Sequence, residues 1–157
     1  MEWFVKAFLK SSLAWLSLGV TIGVAMAAHP AWAVYRLVHL HMNLLGFVTM
    51  MIYGVAYHVI LRFTGHPLHA RALATTQWWA ANAGLALMAT GFALRARGSV
   101  DVATAILATG GCLSAFSAYA FVYNIWRTID DPKKGQRRSG IALHVLGDDA
   151  RKSMTGS

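Results

Sequence analysis

The chain has 157 residues, of which 57% are hydrophobic and 13% charged, and its mean hydropathy is +0.48. This composition is too apolar for a soluble domain and predicts an all-α integral membrane protein of a few helices, surrounded by membrane lipid. The net charge of +8 would suit a nucleic acid, but seven of the fourteen Lys and Arg residues lie at or after Arg127, outside the apolar segments, so no nucleic-acid partner is expected.

The first apolar run predicts a membrane span at 12–28, with Ser11 or Ser12 as its N-cap. The ten residues before it mix aromatic rings with lysines, which is typical of a membrane interface. Gly19 and Gly23 form a GxxxG pattern that permits close helix packing, either as an ordinary small-residue face or as a dimer contact. A cleavable signal peptide is the rival interpretation, but the apolar run is long for one, so we expect a retained span.

The second predicted span, 37–61, contains no Asp, Glu, Lys or Arg and yet carries His39, His41 and His58. At ~1.5 Å per residue it extends roughly 37 Å, more than the ~30 Å hydrocarbon core of a bilayer. Ionisable side chains inside a span are costly and indicate a functional site. His41 and His58 are separated by about 26 Å along a regular helix, so they cannot share one small site within a chain.

The remaining segments predict two more spans and a tail. The loop at 65–71 carries His66 and His69, which we interpret as part of a solvated basic loop rather than a metal site. The third span is predicted at 72–94 and the fourth at 102–126, with Asp101 as the N-cap of the fourth. Residues 1–128 therefore form a predicted four-helix transmembrane bundle, followed by a polar, poorly ordered cytoplasmic tail at 129–157.

The distribution of positive charge predicts the topology. With four spans, one side of the membrane receives both termini and the loop at 65–71, and it gathers eleven of the fourteen Lys and Arg residues. The other side keeps only Arg36, Arg95 and Arg97. Because cytoplasmic segments are enriched in Lys and Arg, both termini are predicted to be cytoplasmic, with His39 and His41 towards the outer leaflet.

Neutral imidazole is a ready ligand for iron, and helices with small-residue faces can enclose a heme ring. Heme is therefore one candidate cofactor from the residues alone. Structural roles are equally open to these side chains: His39 can lie at the headgroup boundary, and His58 can bond a carbonyl of a neighbouring helix. A proton or small-solute pathway through His58 and His41 is a further alternative, although no Asp or Glu lies within the spans to extend it.

The second span also resembles a known family, in the stretches HLHMNLLGF at 39–47 and GVAY at 54–57. They are similar to the second transmembrane helix of the catalytic subunit I of the heme-copper oxidase and nitric oxide reductase superfamily. There a histidine followed two residues later by asparagine marks a ligand of the low-spin heme b, a role that falls on His41, with Asn43 in the matching position. The resemblance covers roughly 13–128 and implies a b-type heme in a bacterial cytoplasmic membrane.

The chain departs from that family in length and in histidine content. The family's subunit has about twelve helices, and the later ones carry the second low-spin ligand, the high-spin heme ligand and the copper ligands. No span after His58 contains histidine here, so no binuclear centre, copper or catalytic residue is expected from one copy. The second axial ligand has several candidates: His29 first, then Met26 and Met88, or His41 of a second copy. His39 points about 200° away from His41 around a regular helix.

Two functions follow as expectations. The first is a b-type heme protein acting in electron transfer or in binding a diatomic gas such as O2 or NO, as a homo-oligomer or as part of a respiratory complex. The second is a heme-free accessory or assembly subunit of a respiratory oxidase complex, in which the histidines are structural.

Overall fold

The computed structural model describes residues 2–65 and 67–130, and this part of the chain is helical without any strand. Four helical rods follow one another: α1, Trp3–Ala28; α2, Pro30–Thr64; α3, Arg71–Ala96; and α4, Val100–Asp130. The prediction of an all-α chain with four helices is therefore confirmed for the described residues. The predicted tail lies outside them, except for its first two residues, which belong to α4.

The second rod changes its helix type three times. It begins with a 3-10 turn at Pro30–Tyr35, continues as α-helix over Arg36–His41, becomes a π-helix at Met42–Thr49 and returns to α-helix at Met50–Thr64. A π-helix holds more residues per turn than an α-helix and is frequently found at functional sites. The π-helix therefore changes the direction in which His58 projects from the rod, compared with its direction in a straight α-helix.

The rods pack as a bundle in which α2 and α3 each contact the other three helices. One end of the bundle, the terminal end, holds the start of α1, residues 67–70 and the end of α4. There the Asn124 side chain bonds both backbone groups of Ala70, and Glu2 forms an ion pair with Arg71. The opposite end, the turn end, holds the 3-10 turn and residues 97–99, where Arg97 Nε donates to the Tyr35 hydroxyl at 3.3 Å.

Large buried side chains concentrate towards the terminal end. Tyr53 packs between Phe8 and Phe121, with ring centroids 5.7 and 4.5 Å away, and Tyr57 packs edge-on against Phe4 at 5.3 Å. Such aromatic pairs contribute ~0.5–1.5 kcal/mol beyond the area they bury. Phe4 and Phe8 are fully buried, so α1 is an integral part of the bundle core.

Small residues bring α3 and α4 into backbone contact. A Cβ atom added to Gly84 would lie 2.9 Å from the Gly110 carbonyl oxygen, and one added to Gly110 would lie 2.7 Å from the Gly84 carbonyl oxygen. Neither position can accept a side chain unless the two helices separate. The small residues Gly110 and Ser114 of α4 are therefore used for packing within the chain.

Two predicted helix starts are wrong. α1 begins at Trp3, so Ser12 is not an N-cap: it is buried inside the helix and its hydroxyl donates to the Leu9 carbonyl at 2.8 Å. α4 begins at Val100, which places Asp101 in the first turn. Packing of Phe4 and Phe8 in the core extends α1 past the serine at which a local capping signal would start it. The start of α4 differs from the predicted cap by one residue, which is within the usual variation of helix ends. α2 ends at Thr64, and Gly65 terminates it with φ = 63°. This end agrees with the loop predicted at 65–71.

Within the described residues, three helices are long and apolar enough to span a membrane: α1, α2 and α4. This supports a membrane protein. The predicted third span, α3, is long enough with 26 residues but is not among the helices that are apolar enough. Two of its polar residues face the bundle: Gln77 is fully buried, and the Asn82 side chain accepts a hydrogen bond from Trp15 Nε1 at 3.0 Å.

Candidate functional site

His39 is anchored to the backbone of α1. Its Nδ1 atom lies 2.8 Å from the Gly19 carbonyl oxygen, across the contact between α1 and α2. Because a carbonyl oxygen can only accept, Nδ1 carries the proton and donates it. In the neutral imidazole the lone pair is then on Nε2, the atom that a metal would bind.

The two glycines of the GxxxG pattern make room for this contact. A Cβ atom at Gly23 would lie 2.8 Å from Cε1 of His39, and one at Gly19 would lie 2.7 Å from Nδ2 of Asn43. Asn43 in turn donates to the His39 carbonyl at 2.8 Å, one turn back along α2. The pattern therefore serves packing of α1 on α2 within one chain, the first of the two interpretations that the sequence allows.

His41 points towards a different neighbour. Its Nδ1 atom donates to the Leu37 carbonyl at 2.8 Å, on its own helix, and its ring packs against Phe92 of α3 with centroids 4.6 Å apart. The side chain is partly exposed at the edge between α2 and α3. As in His39, the Nε2 atom of the neutral ring is left unprotonated. The helix is regular α-helix at both histidines, so the two rings face different sides and do not form a common site.

His29 lies at the same turn end but is exposed. It follows the last residue of α1, and its ring lies 6.3 Å from that of Trp32. A cavity of about 300 Å³ opens nearby between α1, α2 and α3, lined by Ile22, Trp32, Tyr35, Val38, Ala93 and Arg97. This volume is at the lower limit of typical small-molecule pockets, so one chain would enclose only part of a porphyrin.

The remaining histidines lie elsewhere. His58 is at the terminal end of α2, 17 residues from His41 and more than ~20 Å along the rod, in an open cleft with Arg62. His69 is exposed in the connection to α3 and its ring contacts Tyr123 at 6.0 Å. His66 and His144 are outside the described residues. The structure therefore brings His29, His39, His41 and Asn43 to one end and leaves His58 at the other.

The methionines proposed as alternative ligands differ in their surroundings. The Met88 sulfur accepts a hydrogen bond from Ser114 at 3.6 Å, which commits it to the packing of α3 on α4. Met26 is partly buried on α1. No group of three or more His, Cys, Asp or Glu side chains converges within residues 2–65 and 67–130. A heme iron needs only one or two protein ligands, so heme does not require such a group.

A buried polar network was not anticipated from the sequence. The Tyr57 hydroxyl donates to Gln77 Oε1 at 2.5 Å and lies 3.4 Å from Nδ2 of Asn124, while the Ser117 hydroxyl donates to the Gln77 carbonyl at 3.2 Å. Gln77 and Asn124 were visible as uncharged polar residues within apolar runs. Their mutual proximity is set by how α2, α3 and α4 pack.

Neither a scan against protein-family models nor a search of curated proteins returns a match for this chain. The resemblance of 39–47 and 54–57 to the oxidase subunit thus remains a prediction from those residues.

Proposed function

We propose that the protein binds a b-type heme at the turn end of the bundle, with His41 as an axial ligand. The observation that carries the proposal is the hydrogen bond from His41 Nδ1 to the Leu37 carbonyl. Metal-ligating histidines almost always donate their other ring nitrogen in this way, which fixes the tautomer and the ring orientation. Phe92 beside the ring adds an apolar surface, which suits the face of a porphyrin.

The surroundings of His41 also favour an anionic, largely apolar ligand. Arg36, Arg95 and Arg97 lie at the same end, and heme carries two carboxylates. The nearby cavity is mainly apolar but small. His41 itself is at the edge of the bundle, so other groups would have to cover the part of the heme that this chain leaves exposed. A second copy related by a two-fold axis, or a respiratory-complex partner, would supply that cover.

When bound, heme supplies either one-electron transfer, if both axial positions are filled, or binding of a diatomic gas, if one is open. His41 would hold the iron, and the Leu37 carbonyl would keep its ring oriented. His39 and Asn43 would act indirectly, because they fasten this turn of α2 to α1. His29 stays the first candidate within the chain for the second ligand, since it lies at the same end. No copper site is part of the proposal.

The proposal includes the membrane topology. We infer that α3 is a fourth span, because its polar side chains Gln77 and Asn82 face the bundle rather than lipid, which accounts for its lower apolarity. An even number of spans puts both termini on one side. The charge distribution then favours the cytoplasmic side for the terminal end, in the bacterial inner membrane that the family resemblance implies.

A heme-free accessory subunit is the second candidate, and one observation favours it. The packing of two helices is enough to account for His39, which bonds Gly19 and fills the space above Gly23. If His41 is likewise only a packing residue against Phe92, the bundle needs no cofactor. In that case the protein would act through its contacts with an oxidase complex.

Optical spectra separate the candidates. The protein would be purified in detergent from heme-replete membranes, and a reduced-minus-oxidised spectrum recorded before and after addition of carbon monoxide. We expect a b-type spectrum. A shift with carbon monoxide would indicate an open or weakly held axial site, and an unshifted spectrum would indicate two strong ligands. Absence of a Soret band would contradict the heme proposal, and co-purification with an oxidase without pigment would support the accessory subunit.

A further inference from the structure

We propose that the cleft at the terminal end of the bundle binds the headgroup of an anionic phospholipid, independently of any heme at the other end. The cleft has a volume of about 610 Å³ and is formed where α2, the following connection and the start of α1 meet. His58 and Arg62 both line it. They are four residues apart on α2, so their side chains lie on the same helix face.

These two side chains are free to bind a ligand. Within the described ranges Arg62 has no ion pair, and His58 has no hydrogen bond. Glu2, the acidic group in the cleft, is already paired with Arg71 at 2.9 Å and therefore does not neutralise Arg62. A guanidinium and an imidazole on one face form a donor set for phosphate oxygens, with the guanidinium able to bind two of them.

Apart from Glu2, the rest of the cleft is apolar. Val5, Leu61 and Leu68 line it beside the two basic groups, and Pro67 closes it from the connection. Such a lining does not suit a free phosphate ion, which would lose hydration without gaining partners on that side. It does suit the glycerol and upper acyl region of a lipid, whose phosphate would be held by Arg62 and His58.

The depth of the cleft agrees with a headgroup. Arg62 is two residues and His58 six residues from Thr64 at the end of α2, or ~3 and ~9 Å along the helix axis. The headgroup layer on each side of a bilayer is about 5–8 Å thick. With Thr64 at the water side of this layer, the two donors bracket the level at which lipid phosphates lie. Basic pockets between transmembrane helices are known to select anionic lipids in this way.

Native mass spectrometry of the full chain in detergent provides the test. The protein would be titrated with dioleoylphosphatidylglycerol or dioleoylphosphatidylcholine, and bound lipids counted. We expect tighter binding of the anionic lipid by the native chain and roughly fivefold weaker binding in Arg62→Gln, which corresponds to about one cation near the surface. His58→Gln should also weaken binding. Arg127→Gln, which removes an exposed arginine of α4 at the terminal end but outside the cleft, is the matched control and should leave it unchanged.

Three results would overturn the proposal. These are equal binding of the two lipids, unchanged binding in both Arg62→Gln and His58→Gln, and displacement of the anionic lipid by an equal concentration of inorganic phosphate. The last result would mean that the cleft recognises a free anion instead. The melting temperature of each variant would be recorded first, and since Arg62 is exposed, its substitution is not expected to unfold the bundle. If Arg62→Gln does not fold, binding of the anionic lipid is compared between the native chain and His58→Gln instead.

Discussion

The imidazole of His39 and the carbonyl of Gly19 are 2.8 Å apart across the interface of α1 and α2. This contact exists because Gly23, one turn further along α1, has no side chain where the ring lies. A histidine that looks like a cofactor ligand in the sequence is thereby tied to the packing of two helices. Its neighbour His41 bonds only within α2 and keeps its outer edge accessible.

Gly23→Ala tests that packing contact. The new Cβ would lie 2.8 Å from the His39 ring, so the ring must move and its bond to Gly19 is expected to break. We expect a net destabilisation of ~1 kcal/mol, because overpacking outweighs the helix propensity that alanine adds. Thermal unfolding in detergent measures it. In a His39→Ala background the same change should become neutral or stabilising, and an equal cost in both backgrounds would contradict the assigned contact.

Gly110→Ala should be more damaging. Its Cβ would lie 2.7 Å from the Gly84 carbonyl oxygen and 2.8 Å from the Met88 nitrogen, and backbone atoms cannot turn aside as a side chain can. We expect α3 and α4 to separate, at a cost of ~2 kcal/mol in the free energy of unfolding. The adjacent Gly111→Ala is a matched control, since its Cβ would meet nothing within 4 Å. It should be neutral or stabilising by up to ~1 kcal/mol, and equal effects at the two positions would refute the helix contact.

Tyr57→Phe tests the buried polar network. Removal of the hydroxyl leaves Gln77 Oε1 buried without its donor, which we expect to cost ~1–3 kcal/mol. Tyr119→Phe removes the same atom from a side chain that is 75% exposed, and should change stability by less than ~0.5 kcal/mol. The double variant Tyr57→Phe with Gln77→Leu should cost less than the sum of its parts. Chemical denaturation that gives the same loss at Tyr57 and Tyr119 would count against the network.

His41→Ala tests the proposed axial ligand. We expect it to abolish heme retention, because the histidine supplies the iron ligand and its neighbour His39 is bonded to Gly19 on another side of α2, whereas His66→Ala and His69→Ala should leave the heme content unchanged. Heme content would be measured by absorbance per protein in membranes grown with excess heme.

His39→Ala separates ligation from packing at the same end of the bundle. It should lower the melting temperature through loss of the Gly19 contact and keep heme when the protein stays folded. Unchanged heme in His41→Ala protein would eliminate His41 as the ligand, and loss of heme from a folded His39→Ala protein would transfer the role to His39.

The sequence by itself was sufficient for the class of protein and for much of its helical organisation. Apolar runs predict helices because backbone groups in lipid must be satisfied within the segment, and Gly65 ends α2 because a left-handed residue there closes the helix. The residue at which α1 begins was not predictable from capping signals, because Phe4 and Phe8 pack in the core and hold an additional helical stretch before Ser12.

The candidate site was predictable as a set of residues but not as an arrangement. His29, His39, His41 and Asn43 are visible in the sequence, yet which ring packs against α1 and which faces Phe92 depends on how α2 lies between its neighbours. The π-helix at Met42–Thr49 has no signal in the periodicity of apolar residues, which are nearly continuous there. Only the tertiary structure decided these features. Hydrogen bonds and close contacts between helices depend on how the helices are placed relative to one another, and no single segment of the sequence encodes that placement.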